Sequence, residues 1–294
     1  MATADGDTEP LFHQCYDRLF ASKGYAQEID FVLDLARDEL GRLPSRILEV
    51  GCGTGNHTLE LARRSEFADG HVVAVDIDHW MVARARAKLI HRATVTPKIL
   101  CCPVEDLPVP PVGERFDLAI ALFHVVTYIE EREALDRFFL AVRARMRPGG
   151  VFIFDCWNGA AALLSPPGEK DYAWSGPGVE LRCHLTSDTD RQARRTLLRY
   201  RIRVSEETPA RLKEEVHTLV QKLWTPVEVR ASLVGAGFQV MACYPSFDRT
   251  RSAQDADWKI LFVARASAIA EAPARDRTGD AQGIIGIDLL PGRR

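Results

Sequence analysis

The sequence predicts an α/β fold: a largely parallel sheet with helices on both faces and a small antiparallel β insertion after the fifth strand. Three observations predict it. Over about 150 residues, short apolar runs alternate with amphipathic stretches, the strand–helix–strand order of a parallel sheet. A glycine turn, Gly51-Cys52-Gly53-Thr54-Gly55, separates the first such run from the next helical stretch. Beyond residue 157 the pattern changes to Gly, Pro and Ser punctuation and then to further strands.

In order, residues 28–40 read as an amphipathic helix, with Ile29, Val32, Leu33, Ala36 and Leu40 on one face, closed by Gly41 and Pro44. Residues 47–50 form a buried strand, 56–64 a helix, 72–76 a second strand ending at Asp76, and 80–92 a helix with a cationic last turn. A third strand lies near 98–102. Residues 116–124 are almost all apolar, as a strand covered on both faces should be. Leu135, Phe138, Phe139, Val142 and Met146 mark the next helix, which Pro148-Gly149-Gly150 stops ahead of a fifth strand at 151–154. Strands at 179–185 and 196–204, joined by a turn at 187–190, and a third at 214–223 make the insertion. Thr225-Pro226-Val227-Glu228 is a capping-box start, and strands at 238–244 and 259–264 close the domain.

With 294 residues, 46% of them hydrophobic, the chain can bury one sizeable core and a second small lobe. The expected organisation is a main domain over 1–157 and 224–265, an inserted lobe over 158–223, and a loose tail over 266–294 whose apolar run at 284–290 has no assigned role. The formal net charge is −3. Arg191, Arg194 and Arg195 read as a solvated hairpin face, so nothing supports electrostatic binding of nucleic acid. No apolar run reaches the ~20 residues of a membrane span. The start, MATADGDTEP, lacks a signal-peptide core, so the cytoplasm is the expected compartment. Seven cysteines without a CxxC pair read as free thiols, with no metal site implied.

The chemistry concentrates around Glu49-Val50-Gly51-Cys52-Gly53-Thr54-Gly55-Asn56. Glycines at a strand-to-helix turn let the backbone approach a ligand closely. Asp76, 21 residues after Gly55 at the end of the next strand, can accept both hydrogen bonds of a ribose diol. A dinucleotide fingerprint would need Gly or Ala where Asn56 stands.

Glycines at the alternate positions 51, 53 and 55 resemble instead the class I S-adenosylmethionine (SAM)-dependent methyltransferases. The resemblance extends to about Arg265 and implies a Rossmann-like seven-stranded sheet ending in a strand pair. It implies SAM as cofactor, S-adenosylhomocysteine as product, and a set of contacts. Glu49, Gly51 and Gly53 would lie against the amino-acid part of SAM, Asp76 would hold the ribose, and Ile77 would pack on adenine. Val104 and Glu105 would lie at the adenine edge, where Pro103 stands in place of the Asp that many members carry.

Three further segments resemble the branch that methylates deoxyamino sugars, other sugars and natural products. They are Tyr16-Asp17-Arg18-Leu19-Phe20 with Lys23-Gly24-Tyr25; Phe123-His124-Val125-Val126-Thr127-Tyr128-Ile129 with Phe154-Asp155-Cys156-Trp157; and Glu214-Glu215-Val216-His217. In that branch the tyrosines corresponding to Tyr16 and Tyr25 sit over the methionine moiety, which Phe123 would also face. The insert covers the substrate, and in some members it forms a dimer surface, so a homodimer is expected. The candidates for acceptor chemistry are His124, Tyr128, Asp155 and His217, with Trp157 on the substrate ring or in the core. His124 is equally readable as a hydrogen-bonded histidine facing the cofactor, Asp155 as a turn cap, and His217, a base if the inserted sheet roofs the pocket, as an exposed strand histidine.

The implied function is methyl transfer to an amine or hydroxyl of a small-molecule acceptor, a sugar or secondary-metabolite intermediate. An O-methyltransferase of a polysaccharide or antibiotic sugar, a macromolecular methyltransferase and a non-catalytic SAM-binding module remain open. No membrane or nucleic-acid partner is implied.

Overall fold

The computed structural model describes residues 8–67, 71–207 and 210–268. Two sheets organise it. The larger has seven strands: β1 (Ile47–Val50), β2 (Val72–Asp76), β3 (Lys98–Cys101), β4 (Phe116–Ala121), β5 (Met146–Trp157), β10 (Phe238–Pro245) and β11 (Lys259–Ala266). Their order is β10-β11-β5-β4-β1-β2-β3. The first five strands run parallel, and β11 is antiparallel to both β5 and β10.

The strand residues alternate between two cores, as period-2 geometry requires. Leu48, Val50, Phe152 and Phe154 face α5 (Arg132–Arg145) and α7 (Pro226–Gly235). Ile47, Val151 and Ile153 face α2 (Tyr25–Leu40). A third cluster, with Ala74 and Ile99, packs under α3 (Asn56–Ala62) and α4 (His79–Ile90).

The second sheet, inserted after β5 and the short helix α6 (Gly159–Leu164), is antiparallel. It holds β6 (Lys170–Gly176), β7 (Val179–Asp190), β8 (Arg195–Glu207) and β9 (Ala210–Lys222), side by side in chain order. Its inner face buries Leu181, Cys183, Leu198 and Ile202 against α1 (Leu11–Leu19). That helix contributes Leu11, Phe12, Cys15 and Leu19, each worth about 1.5–3 kcal/mol for a fully buried side chain of Leu or Phe size. The capping box is present: Thr225 and Glu228 exchange side-chain and backbone bonds at the start of α7. Arg194 reaches the same Glu228 at 2.7 Å and ties the β7–β8 hairpin to the main domain.

Several elements differ from expectation. The helix before β5 ends at Arg145, and Met146 already pairs with Phe116, so Pro148-Gly149-Gly150 forms an irregularity inside β5 and not a helix stop. β4 ends at Ala121, three residues early, because the backbone at Phe123 and His124 turns left-handed. The insertion's hairpin turns at 191–194, past the expected 187–190, with Arg194 at φ 51°. Helices α1 and α6 and strand β6 were not expected.

Among the described residues no helix is long and apolar enough to cross a membrane, and no cluster of three His, Cys, Asp or Glu side chains could hold a metal. All seven cysteines are free thiols. The expected loose tail and its run at 284–290 fall almost wholly on residues 269–294, outside the described residues, as do residues 1–7. Ala266 itself closes β11.

Candidate functional site

Strand order places the site. The chain runs outward from β1 to β2 and β3, then returns to lay β4 on the other side of β1. In such sheets ligands bind beyond the carboxyl ends of the strands, where the direction of winding reverses. The glycine turn leaves β1 there, the Phe123 loop leaves β4, and between them opens a cavity of about 660 Å³, roofed by α1 and β9.

The two first glycines of the turn do different work. Gly51 (φ 72°) is closely approached from outside: a Cβ there would meet Val125 Cγ2 at 2.5 Å. Gly53 (φ 54°) lines the cavity, and a Cβ on it would stand in open space. Asp76 is set by two amides, Gly53 N–H donating to Oδ2 at 2.7 Å and Asp78 N–H to Oδ1 at 2.9 Å. Each oxygen keeps a lone pair for a further donor. Burial raises its carboxyl above the ordinary aspartate value. Ile77 follows on the same wall, 76% exposed.

At the far edge Val104 is buried and Glu105 projects. Their loop is held from below by Arg145 of α5, which donates to the carbonyls of Glu105 (2.9 Å) and Leu107. An adenosyl group fits this half: a bare glycine cradle, a carboxylate for a diol, and an exposed apolar side chain for a ring face.

Tyr16 and Tyr25 close the same half from α1 and the start of α2. Tyr16 meets Phe123 edge-on at 6.5 Å, and Tyr25 meets His57 at 4.9 Å. His57 in turn contacts Glu28 at 2.7 Å. Phe123 is on the wall.

The other half holds Tyr128, whose exposed surface borders the cavity, and His217 from β9. His217 stacks on Phe12 with centroids 4.2 Å apart. Burial and then the neighbouring His13 pull it below the ordinary histidine value, so it is a neutral acceptor of protons at neutral pH. The insertion is tied to this region by Thr127, which donates to the carbonyl of His124 (2.6 Å) and contacts the Gln221 side chain of β9.

Four residues singled out from sequence are not on the wall. Glu49 is 2% exposed, beneath the glycine turn, and accepts a bond from Thr58 Oγ1 at 2.6 Å. A four-residue strand buried on both sides gave no signal for this burial. His124 and Asp155 are brought together, with Nδ1 and Oδ2 2.8 Å apart, but both are buried behind the Phe123 loop. Trp157 is 8% exposed and packs on Trp258 at 4.7 Å. Conversely, His13, Asp78, His57 and Arg145 matter to the site and were missed. Only the placement of Asp78 just before a helix, an N-cap pattern, was visible in the sequence.

Residues 47–150 match the methyltransferase domain family. The carboxy-S-adenosyl-L-methionine synthase of Shewanella piezotolerans is 29% identical over 132 residues, 44% of this chain and 51% of that protein. The chain thus spans about half the length of the synthases of this kind that head its curated relatives. The dTDP-4-amino-2,3,4,6-tetradeoxy-D-glucose N,N-dimethyltransferase of Saccharopolyspora spinosa is 27% identical over 226 residues, 76% of this chain and 84% of that one. Two solved structures, each 20% identical, share the fold. An S-adenosylmethionine-dependent methyltransferase of Clostridium acetobutylicum aligns at a TM-score of 0.69 over 87% of this chain and 98% of its own. A sugar N-methyltransferase of a Streptoalloteichus species aligns at 0.68 over 91% and 97%. Over residues 47–150 the chain is thus similar to a methyltransferase domain, and its seven-stranded sheet shares the fold of these solved structures.

Proposed function

We propose that this chain transfers the methyl group of SAM to an amine, or a hydroxyl, of a small acceptor such as a sugar or secondary-metabolite intermediate. The observation that carries the reading is that Tyr128 and His217 border the same cavity as Gly53 and Asp76. Its volume lies within the roughly 300–1,000 Å³ of small-molecule sites. Three carboxylates, Asp76, Asp78 and Glu105, line it, and among the described residues no Lys or Arg does. That balance favours a neutral or cationic group, such as an amine, at the reacting end of the acceptor that enters the cavity. The aminosugar enzyme of S. spinosa, similar over most of its length, points to the same class.

SAM supplies a methyl on a positively charged sulfur, which the nucleophile displaces in line, leaving a neutral thioether. The chain's residues do the rest. Asp76 fixes the ribose and Ile77 the adenine, with Val104 and Glu105 at its edge. Tyr16, Tyr25 and Phe123 enclose the methionine end with Gly51 and Gly53, and keep water out. Tyr128 orients the acceptor. His217 takes the proton that the amine or hydroxyl gives up as its bond to carbon forms. His124 and Asp155 act from behind, by shaping the loop that carries Phe123.

The test is turnover with SAM and a panel of dTDP-4-aminosugars, free aminosugars and hydroxylated analogues, read by mass spectrometry. One or two methyl additions to an amine, lost by roughly 10²–10⁴-fold in His217→Ala with SAM affinity retained, is the expected result. Methyl label that enters only protein or RNA overturns the small-acceptor reading.

A further inference from the structure

His217 is one of a pair. The ring of His13, on α1, meets it edge-on with centroids 5.6 Å apart. His13 is 6% exposed, and its Nε2 lies 2.7 Å from Oδ2 of Asp78. Asp78 cannot turn away: its Oδ1 accepts the amides of Trp80 and Met81, capping α4. One oxygen therefore holds the helix and the other holds His13.

The other groups facing His217 are weaker partners. Glu215, on the same strand, stands 3.6 Å from its Nδ1, beyond hydrogen-bond length. That carboxylate already receives the amides of Leu11 and Phe12 at the start of α1. Tyr200, directly across on β8, keeps its proton because burial raises its hydroxyl. Phe12, stacked on the other face, carries no charge.

Two imidazoles this close and mostly shielded from water cannot both be charged cheaply. One has a carboxylate in direct contact and the other does not. We propose that His13, gripped by Asp78, is a positioning residue for methyl transfer: its fixed ring, edge-on to His217, holds that imidazole in place and tunes its readiness to take the acceptor's proton. This rests on His217 being the base. The electrostatics agree in direction, since His13 is among the groups that pull His217 below its usual value.

The test follows the His217 ring itself, by NMR of the full chain with labelled histidine, in wild type, His13→Gln and Asp78→Asn. Gln keeps a donor to Asp78 without a titrating charge, and Asn keeps the helix cap, so one variant serves if the other folds poorly. The expected result is a rise in the His217 titration midpoint of about 0.5–1 unit in His13→Gln and a fall in Asp78→Asn, which takes away a carboxylate that raises it. The acid limb of the kcat/KM profile moves with it, so in His13→Gln the loss is about three- to tenfold below the midpoint and shrinks as pH rises. A His217 titration that stays in place in both variants overturns the proposal. A shifted titration with an unmoved rate profile upholds the pairing with His13 and overturns the assignment of His217 as the base.

Discussion

Asp155 holds His124 from two directions, accepting the backbone amide at 3.2 Å through Oδ1 and facing ring Nδ1 at 2.8 Å through Oδ2. His124 (φ 67°) and Phe123 before it (φ 69°) are both left-handed. Each costs about 1–3 kcal/mol outside glycine and persists only where the surroundings over-determine it. Burial alone would raise the Asp155 carboxyl, but the ring and amide of His124 hold it down to about 2. Asp155→Ala should therefore destabilise the protein by about 3–5 kcal/mol in urea unfolding and weaken SAM binding by calorimetry, because the loop it shapes carries Phe123 onto the cavity wall. Since the folded value lies below the ordinary 3.8, this contribution is present above pH 4 and fades as pH falls from there toward 2. Wild-type SAM affinity in Asp155→Ala would show that the loop keeps its shape unaided.

What was legible in the sequence was local. The glycine turn and Asp76 are signalled by residues a few positions apart at a strand end. The alternation of Phe152 and Phe154 with Val151 and Ile153 marks a strand covered on both faces, and Thr225 with Glu228 marks a helix start. What was not legible depends on partners far along the chain. Helix α1 has only nine residues, and its amino-terminal amides are received by Glu215, 204 positions away. The pair His13–Asp78 spans 65 positions. The apolar run through Phe123 reads as more strand because the strain that ends it is imposed by Asp155, 31 residues on. Glu49 has the right neighbours for a cofactor contact, yet its direction depends on Thr58 of the next helix.

The two glycines of the turn should fail differently. In Gly51→Ala the new methyl collides with Val125 at 2.5 Å, so the fold suffers, and Val125→Ala in the same chain should recover part of the loss. In Gly53→Ala the methyl enters open cavity. The expected stability change is only the roughly 1 kcal/mol of a left-handed alanine, while SAM affinity falls by tenfold or more. Thermal melts with and without SAM separate the two. Equal loss of stability in both variants would contradict this division of labour.

Arg145 should behave as a binding residue although it touches no ligand. It is 4% exposed and holds the carbonyls of Ala141 (2.7 Å), Glu105 and Leu107. Arg145→Met removes the donor that these carbonyls share, at about 1–3 kcal/mol for a buried one such as that of Leu107, and loosens the segment that presents Val104 and Glu105. Steady-state kinetics should give a KM for SAM raised about tenfold with a smaller change in kcat. Lysine, a point charge without the planar fork, should restore little. A change confined to kcat would remove the loop from SAM binding.

Glu49 gives the pH dependence of opposite sign. Burial pushes its carboxyl up to about 8, Asp76 adds to the rise, and the bond from Thr58 only partly opposes it. An unfolded chain loses this proton near 4.5, whereas the folded one keeps it to about 8. Below the lower value both states are protonated and nothing is lost. Between the two values the unfolded state binds fewer protons, so stability falls as pH rises, by about 1.4 kcal/mol per unit and at most about 5 kcal/mol in total. Glu49→Gln retains an acceptor for Thr58 and cannot ionise. Its stability relative to wild type should therefore climb steadily between pH 5 and 8 in denaturant titrations, with the variant the more stable at pH 8. A difference that stays flat across that range would mean that Glu49 is already ionised in the folded protein, paired with a charge beneath the glycine turn.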